Sequence, residues 1–564
     1  MKTKRSLKEL VFTVIWIIIL MIIVVWLNLP WNPIFQGLQS DSGVYAYIGS
    51  AIVHGQVLYR DVWEQKPPIG LFLNALAVLL FGQTPWAIWW FNLIWIALSS
   101  AAFFWVIKKM FGLLSVMIAS VFFIFAVMLP SIFQGGNLME IYGLLPQVLL
   151  IGVTYGFFKT RLDRWVFVAG LLTAVAFMTK QTTISLGIAS LLTITVIALL
   201  RREWKSIWKR LACFMVGLLL PLVVATLYWL AVGALRQYLA GVFFYSLSYI
   251  GVGAPFLWSI KHTALDVFPG LFISKLYYLA AAAIVLFLMA NIRWLWQQIT
   301  LRWINNYDRS NDTGSPVEFT MLAVFVALPI ELVFTSLGGR NLGHYFLSLI
   351  PATATTIGYI FWKVILFLEH PKFDIKGRGI WMGVGATMLG LGSLMWLLTA
   401  FSGEIPTKAQ LASFPRIFSG QYEIGNLQKY ILAVTGPNDP VLVWHIHIST
   451  NFVTDRHPPQ RVIFPGELFI PSGGSKSGLA EFLDEMSKNP PKLIVVQKTS
   501  SIGLPFVNVP IDQMCPHGGC LPEMLAAMKS PDTLAELQKL REYFLAHYTY
   551  DTQIEDLLIY KRVP

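Results

Sequence analysis

The feature that most limits this chain is a series of apolar runs, many near the ~20 residues that a helix needs to cross a bilayer. Backbone in that medium must satisfy its own hydrogen bonds, so such runs are expected to be helical. Of the 564 residues, 56% are hydrophobic and 13% charged, roughly half the charged share of an ordinary soluble protein. The composition predicts a polytopic α-helical membrane protein. The net charge of +12 does not point to nucleic acid. The basic residues sit in short segments between apolar runs, as orientation determinants do. Three cysteines are too few for a disulfide framework.

About eleven spans are expected, over residues 10–29, 86–107, 110–130, 140–158, 165–179, 182–200, 211–232, 275–292, 318–337, 345–368 and 379–402. The first lacks a small-x-small cleavage site and reads as an anchor. The 13 residues IGLFLNALAVLLF after Pro68 are short for a crossing and suit a helix lying at the interface. Charge bias tests that choice. With the N-terminus inside, the inner segments carry 21 Lys and Arg, among them Lys108, Lys109, Arg201, Arg202 and Arg210. The outer segments before the tail carry 7: Arg60, Lys66, Lys180, Arg236, Lys261, Lys275 and Arg340. The bias predicts a plasma (inner) membrane protein with a cytoplasmic N-terminus and an extracytoplasmic C-terminus. The loop 30–85, Glu140, Lys180, the loop 233–274 and the run Gly338 to His344 then share the outer face. Ionisable groups gathered at one face read as a site.

Two domains are expected, a transmembrane one over 1–402 and an extracytoplasmic α/β domain over 403–564. In the second, strand-like runs occur at 440–446, 460–464, 492–497 and 556–563, with helical patterns at Leu479–Lys488 and Pro531–His547. CPHGGC leaves two readings open for Cys515 and Cys520. One is a local disulfide in an oxidising space. The other is a Cys/His site with His517, whose spacing matches no standard zinc pattern.

The outer loop holds the densest chemistry. Asp41 alone reads as a helix N-cap. Its loop also carries Arg60, Asp61, Glu64 and Lys66, and long ordered loops are usually functional. The pattern Asp41-Ser-Gly-Val-Tyr45, followed by Gly55-x-x-Leu-Tyr59-Arg60-Asp61-x-Trp63-x-x-Lys66-Pro67-Pro68, resembles the first outer loop of GT-C fold glycosyltransferases. The nearest branch is the group of protein O-mannosyltransferases and aminoarabinose lipid A transferases, glycosyltransferase family 39-like. The resemblance covers about 1–400 in architecture, with motifs at 41–68, 134–142, 180–181 and 338–345.

The resemblance implies inverting transfer of a sugar from a polyprenyl-phosphate donor, such as an undecaprenyl-phosphate sugar, to an acceptor hydroxyl at the outer face. The acceptor would be a lipid, a protein or a glycan, and membrane lipids would surround the site. Asp41 matches the family's first-loop acid and takes the role of general base. Glu140, in QGGNLMEIYG, matches a second acid that orients acceptor or sugar; its plainer reading is an acid at a helix N-terminus. Lys66, Lys180 and Arg340 are expected to hold the leaving phosphate. His344 and Tyr345 follow Arg340 and are expected near phosphate or sugar, though an interfacial His serves equally. Arg60, Asp61 and Glu64 stand between substrate contact and simple loop order. Glu331 lies inside its span, where a buried acid needs a partner such as Arg340 or Lys180, or a proton. The chain has no paired-acid motif, and a single family-type first-loop Asp with cations nearby fits a metal-independent mechanism, so a divalent metal is allowed but not favoured.

Two other classes compete. A transporter or lipid flippase would show internal repeats and charges near the midplane, where this chain shows charges at one face. A membrane scaffold would tolerate loss of the Asp41 carboxylate.

Overall fold

The computed structural model describes residues 2–38, 40–248, 256–265, 315–339, 342–369, 406–420, 422–444, 448–469, 478–498 and 527–563, with isolated positions at 284–285, 287–288, 388 and 392. Arg340 and the CPHGGC segment fall outside them, as do the expected spans at 275–292 and 379–402 apart from those isolated positions.

Apolar composition and terminal punctuation define the helices. They are α1 Lys2–Asn28, α2 Ser40–Val53, α3 Pro68–Phe81, α4 Pro85–Phe111, α5 Leu113–Val127, α6 Met139–Thr160, α7 Arg164–Thr179, α8 Ser185–Leu200, α9 Trp204–Ala231, α10 Pro316–Ser336 and α11 Ile350–Glu369. Helix α3 opens on Pro67 in extended conformation with Pro68 at its first position, as X-Pro geometry and the free first-turn N–H groups allow. Thr84 caps α4 by accepting from the Ala87 N–H at 3.3 Å, and Gly112 ends it after Lys108 and Lys109. Ser315 caps α10 in the same way.

Among the described residues, six stretches are long and apolar enough to cross a membrane: 9–31, 85–111, 139–160, 204–231, 316–336 and 343–366. Helices α5, α7 and α8 were expected as spans. At 15 and 16 residues they are close in length to the 14-residue α3, which was expected to lie at the interface. Length alone does not separate the two groups. The main core is built from the facing sides of α1, α4 to α8, α10 and α11. Phe103 of α4 stacks on Phe123 of α5 with centroids 4.5 Å apart.

Ion pairs and ring contacts collect the helix ends into two sets. At one end lie paired cations: Lys108 with Glu9 (3.1 Å), Lys209 with Asp163 (2.9 Å), Arg210 with Glu203 (3.0 Å) and Lys363 with Glu318 (3.1 Å). Arg161 and Arg201 lie over the ring of Phe319. The other end receives the starts of α2, α3 and α6 and the end of α7.

The C-terminal part forms a four-stranded sheet in the order β1-β2-β4-β3, from β1 Val441–Trp444, β2 Leu493–Gln497, β3 Tyr548–Ile554 and β4 Leu557–Arg562. Strands β1 and β2 are parallel, starting from Val441 opposite Leu493; β4 is antiparallel to both β2 and β3. One face buries Val441, Val443, Leu493, Val495 and Ile559 against Leu427 and Ile431 of α12 Asn426–Val434. The other packs Leu442, Trp444, Ile494, Val496 and Tyr560 against Leu479–Lys488 and Pro531–His547, the two helices expected there. Being covered on both faces explains the unbroken apolar runs of β1 and β2. The run at 460–464 forms no ladder. It makes one bridge, Trp63 to Val462.

This sheet is fastened to the membrane part beside α2. Ile448, Phe452 and Ile463 share a core with Val44, Tyr47, Ile48 and Ala51. Gln83 Nε2 donates to the Phe452 carbonyl at 2.9 Å and to Asp455 Oδ1 at 3.0 Å.

Candidate active site

Two acids occupy the second position of a helix: Asp41 in α2 and Glu140 in α6. The N-terminal end of a helix favours negative charge there. Asp41 is partly exposed and accepts from Tyr45 Oη at 3.4 Å. Glu140 is buried and pairs with Lys180 Nζ. Lys180 terminates α7 in extended conformation. The Thr183 hydroxyl donates to the carbonyls of Ala176 (2.8 Å) and Lys180 (2.9 Å), which fixes that turn. The Lys180 ammonium lies 3.9 Å from the Tyr345 ring centroid.

The turn before α6 explains why Glu140 and Asp41 face one another's surroundings. Gln134 and Asn137 adopt left-handed backbone, and Gly136 has φ +81°. A Cβ on Gly136 would come 2.2 Å from Asn92 Nδ2, so only glycine fits. Asn137 Nδ2 donates to the Ser42 carbonyl at 3.0 Å, tying the turn to the start of α2. Tyr142 Oη donates to Asn137 Oδ1 at 2.6 Å and locks that amide. Gln134 Oε1 faces His344 Nδ1 at 3.0 Å, and an amide oxygen requires the proton on that nitrogen. His344 Nε2 then lies 3.9 Å from Glu140 Oε1. Gly343 permits the approach, since a Cβ there would sit 2.1 Å from the Ser131 carbonyl oxygen.

The outer loop brings a second set. Glu64 is buried and accepts from the N–H groups of Gln65 (2.9 Å) and Lys66 (3.2 Å). Burial raises its pKa, and Asp41 adds to that. Burial works against the Lys66 ammonium, but Glu64, Asp41, Tyr345 and Glu467 outweigh it and hold its pKa above the usual value. Glu467 comes from the C-terminal part, on the turn Pro465–Phe469. It accepts from Gln65 Nε2 at 3.0 Å. Burial first, then Glu64, keeps its carboxyl well above the ordinary range.

Asp41, Glu64, Lys66, Glu140, Lys180, His344 and Tyr345 are thus brought into one electrostatic neighbourhood. Arg60 and Asp61 are not in it. They pair with each other at 2.8 Å, and Arg60 Nη1 donates to the Val232 carbonyl at 3.0 Å. Glu331 accepts from Ser348 Oγ. Sequence reasoning missed Glu467, Gln65 and Gln134. Gln134 sat in the noticed QGGN turn, but nothing around Glu467 marked it.

A cavity of about 300 Å3 opens beside the cluster. Lys66, Lys180, Gln65, Gln181 and Tyr345 form its polar end, and Phe177, Phe243, Leu247, Phe334 and Leu337 its greasy wall. A π-helical turn at Ala240–Tyr245 borders it. Gln181 Nε2 fastens that turn by donating to the Val242 carbonyl (3.1 Å) and Ser246 Oγ (2.8 Å). Such turns are frequent at functional sites. Cations at one end and apolar side chains along the wall suit an amphiphile with an anionic head. Among the described residues, no group of three or more His, Cys, Asp or Glu is placed to hold a metal ion.

Residues 65–253 match the model of the family described as dolichyl-phosphate-mannose-protein mannosyltransferase. No curated protein sequence matches. Among solved structures, the chain is similar to ArnT from Cupriavidus metallidurans bound to undecaprenyl phosphate, at 16% identity and TM-score 0.48, with 98% of each chain covered. It is also similar to the Archaeoglobus fulgidus oligosaccharyltransferase tethered with an acceptor peptide, at 13% identity and TM-score 0.47, covering 98% of this chain and 74% of that one. The matched segment includes Lys66, Glu140 and Lys180 and leaves out Asp41 and the residues from 254 onward.

Proposed function

We propose that the protein is an inverting glycosyltransferase that moves a sugar from a polyprenyl-phosphate donor to an acceptor hydroxyl at the outer face of the membrane. The observation that carries this reading is that Lys66 and Lys180 stand at the polar end of an apolar-walled cavity, with the Asp41 carboxylate close enough to Lys66 to favour its charged form. The donor's prenyl chain takes the wall and its phosphate the lysines, with Arg340 as a further phosphate contact. The acceptor oxygen attacks the anomeric carbon and its proton passes to the Asp41 carboxylate. The bond from that carbon to the phosphate oxygen breaks, and the phosphate leaves with the electron pair, neutralised by the cations. Glu140, held by Lys180, and His344, held by Gln134, orient sugar or acceptor.

The test is transfer by the purified full-length protein from undecaprenyl-phosphate-linked sugars to membrane extracts of a deletion strain. Asp41→Asn should remove transfer while insertion and melting stay normal. Transfer at the wild-type rate by that variant would overturn the assignment of the base. A wild-type protein that moves the intact lipid across vesicles and transfers no sugar would favour the flippase alternative.

A further inference from the structure

A second cavity, of about 320 Å3, lies in the seam between the outer loop and the C-terminal part. It is separate from the cluster around Lys66. Val62 lines the seam cavity; Trp63 is bridged to Val462 and donates its N–H to the Arg461 carbonyl at 2.9 Å; Gln65 then faces the cluster. Its volume is at the lower end of the ~300–1,000 Å3 typical of small-molecule sites.

The charges in this cavity are already matched. Arg60 holds Asp61 through two hydrogen bonds of 2.8 and 2.9 Å. Arg461 holds Glu481 through bonds of 2.7 and 3.1 Å, and its N–H donates to Glu485 Oε2 at 3.3 Å. Among the described lining residues no lysine or arginine is left unpaired to select a phosphate or carboxylate, and burial lowers the pKa of His457, which disfavours its charged form. What remains is neutral hydrogen-bonding capacity from Gln56, Gln460 and Asn489, beside the flat apolar faces of Pro458 and Pro459.

Gln460 lines the cavity but is only 6% exposed, and its Oε1 is sealed and has no hydrogen-bond partner among the described residues. A buried amide oxygen left this way is destabilising and calls for a donor. Turned toward the cavity, the Gln460 amide finds that donor in a hydroxyl-rich ligand, which brings further hydroxyls to the other amides. Its C–H faces suit the prolines.

We infer that the seam cavity binds a neutral carbohydrate segment, which rests on the proposed transferase reading in that the segment belongs to the acceptor. The amides take its hydroxyls and the Trp63–Val462 bridge keeps it apart from the leaving phosphate. Acceptors would then be glycans or glycan-bearing molecules, recognised several residues from the hydroxyl that reacts.

The test uses the full-length protein in detergent on an array of immobilised neutral oligosaccharides, together with the same glycans bearing phosphate. Neutral glycans should be retained, and phosphate should not improve retention. Gln460→Leu and Asn489→Ala should each weaken binding about tenfold, near the effect of one lost hydrogen bond. Asp41→Asn should bind as the wild type does while losing transfer. Absence of neutral-glycan binding, preference for the phosphorylated forms, or wild-type binding by both cavity variants would overturn the inference. If Asp41→Asn still transfers sugar while Gln460→Leu loses binding, the proposed base fails and the seam site stands.

Discussion

The two ends of the helix bundle both carry ion pairs, and they are built for different ends. At the basic end the Lys209–Asp163 pair is open to solvent: Lys209 is 69% exposed and Asp163 23%. A pair of this kind contributes little to stability. At the other end Glu140 is 3% exposed and Lys180 10%. Taking two charges out of water is expensive, so a buried pair is poor as a mere strut. Its persistence beside His344, Tyr345 and an open cavity supports its place in the candidate site.

That contrast can be broken in several places. The largest effect is expected at Asp41, where replacement by Asn should lower transfer by about 10²–10⁴ with an unchanged melting curve. Next comes the buried pair. Glu140→Gln or Lys180→Met alone should destabilise by about 3–5 kcal/mol, and a Glu140→Met/Lys180→Met double variant should recover much of that in thermal melts. Single variants that melt like the wild type would place the pair in the same class as the basic end.

The acids around Lys66 give a pH signature. Glu467 has a pKa raised on folding, by burial and then by Glu64. A carboxyl of this kind binds more protons folded than unfolded. Its contribution to stability is therefore full in acid, below the ordinary carboxyl value, and is lost as pH rises through the folded value. Glu467→Gln should flatten this fall in a series of melts across pH. Glu485, pushed up to about 7 by burial and Glu481, should give the same sign, lost by about pH 7, and Glu485→Gln should remove it. The smallest effect is expected at the basic end, where Lys209→Ala should leave the melting curve close to that of the wild type and transfer unchanged.

Much of the site was legible in the sequence because its residues stand at helix boundaries. Asp41 and Glu140 begin apolar helices, and Lys180 ends one against the charge trend. The less legible parts are those set by tertiary contact. Glu467 belongs to a five-residue turn with no local signal, and only docking of the C-terminal part brings it to Gln65. Strand β3, YTYDTQI, escaped notice because it is an edge strand carrying Asp, Thr and Gln on a largely exposed surface. Arg60 and Asp61 share the loop with Lys66 in sequence, but a turn at Tyr59, whose φ is +70°, carries them to the seam.

The contact from Gln65 to Glu467 joins residues 402 apart in the chain. During synthesis the loop that carries Gln65 is made long before its partner has been translated. The greasy wall of the cavity beside Lys66 and Lys180 can therefore assemble while the acid cluster still lacks one member. Catalytic competence should arrive late, only when the C-terminal sheet has folded and docked. A ribosome-stalled chain ending before residue 465 would then be inserted in the membrane yet unable to transfer sugar.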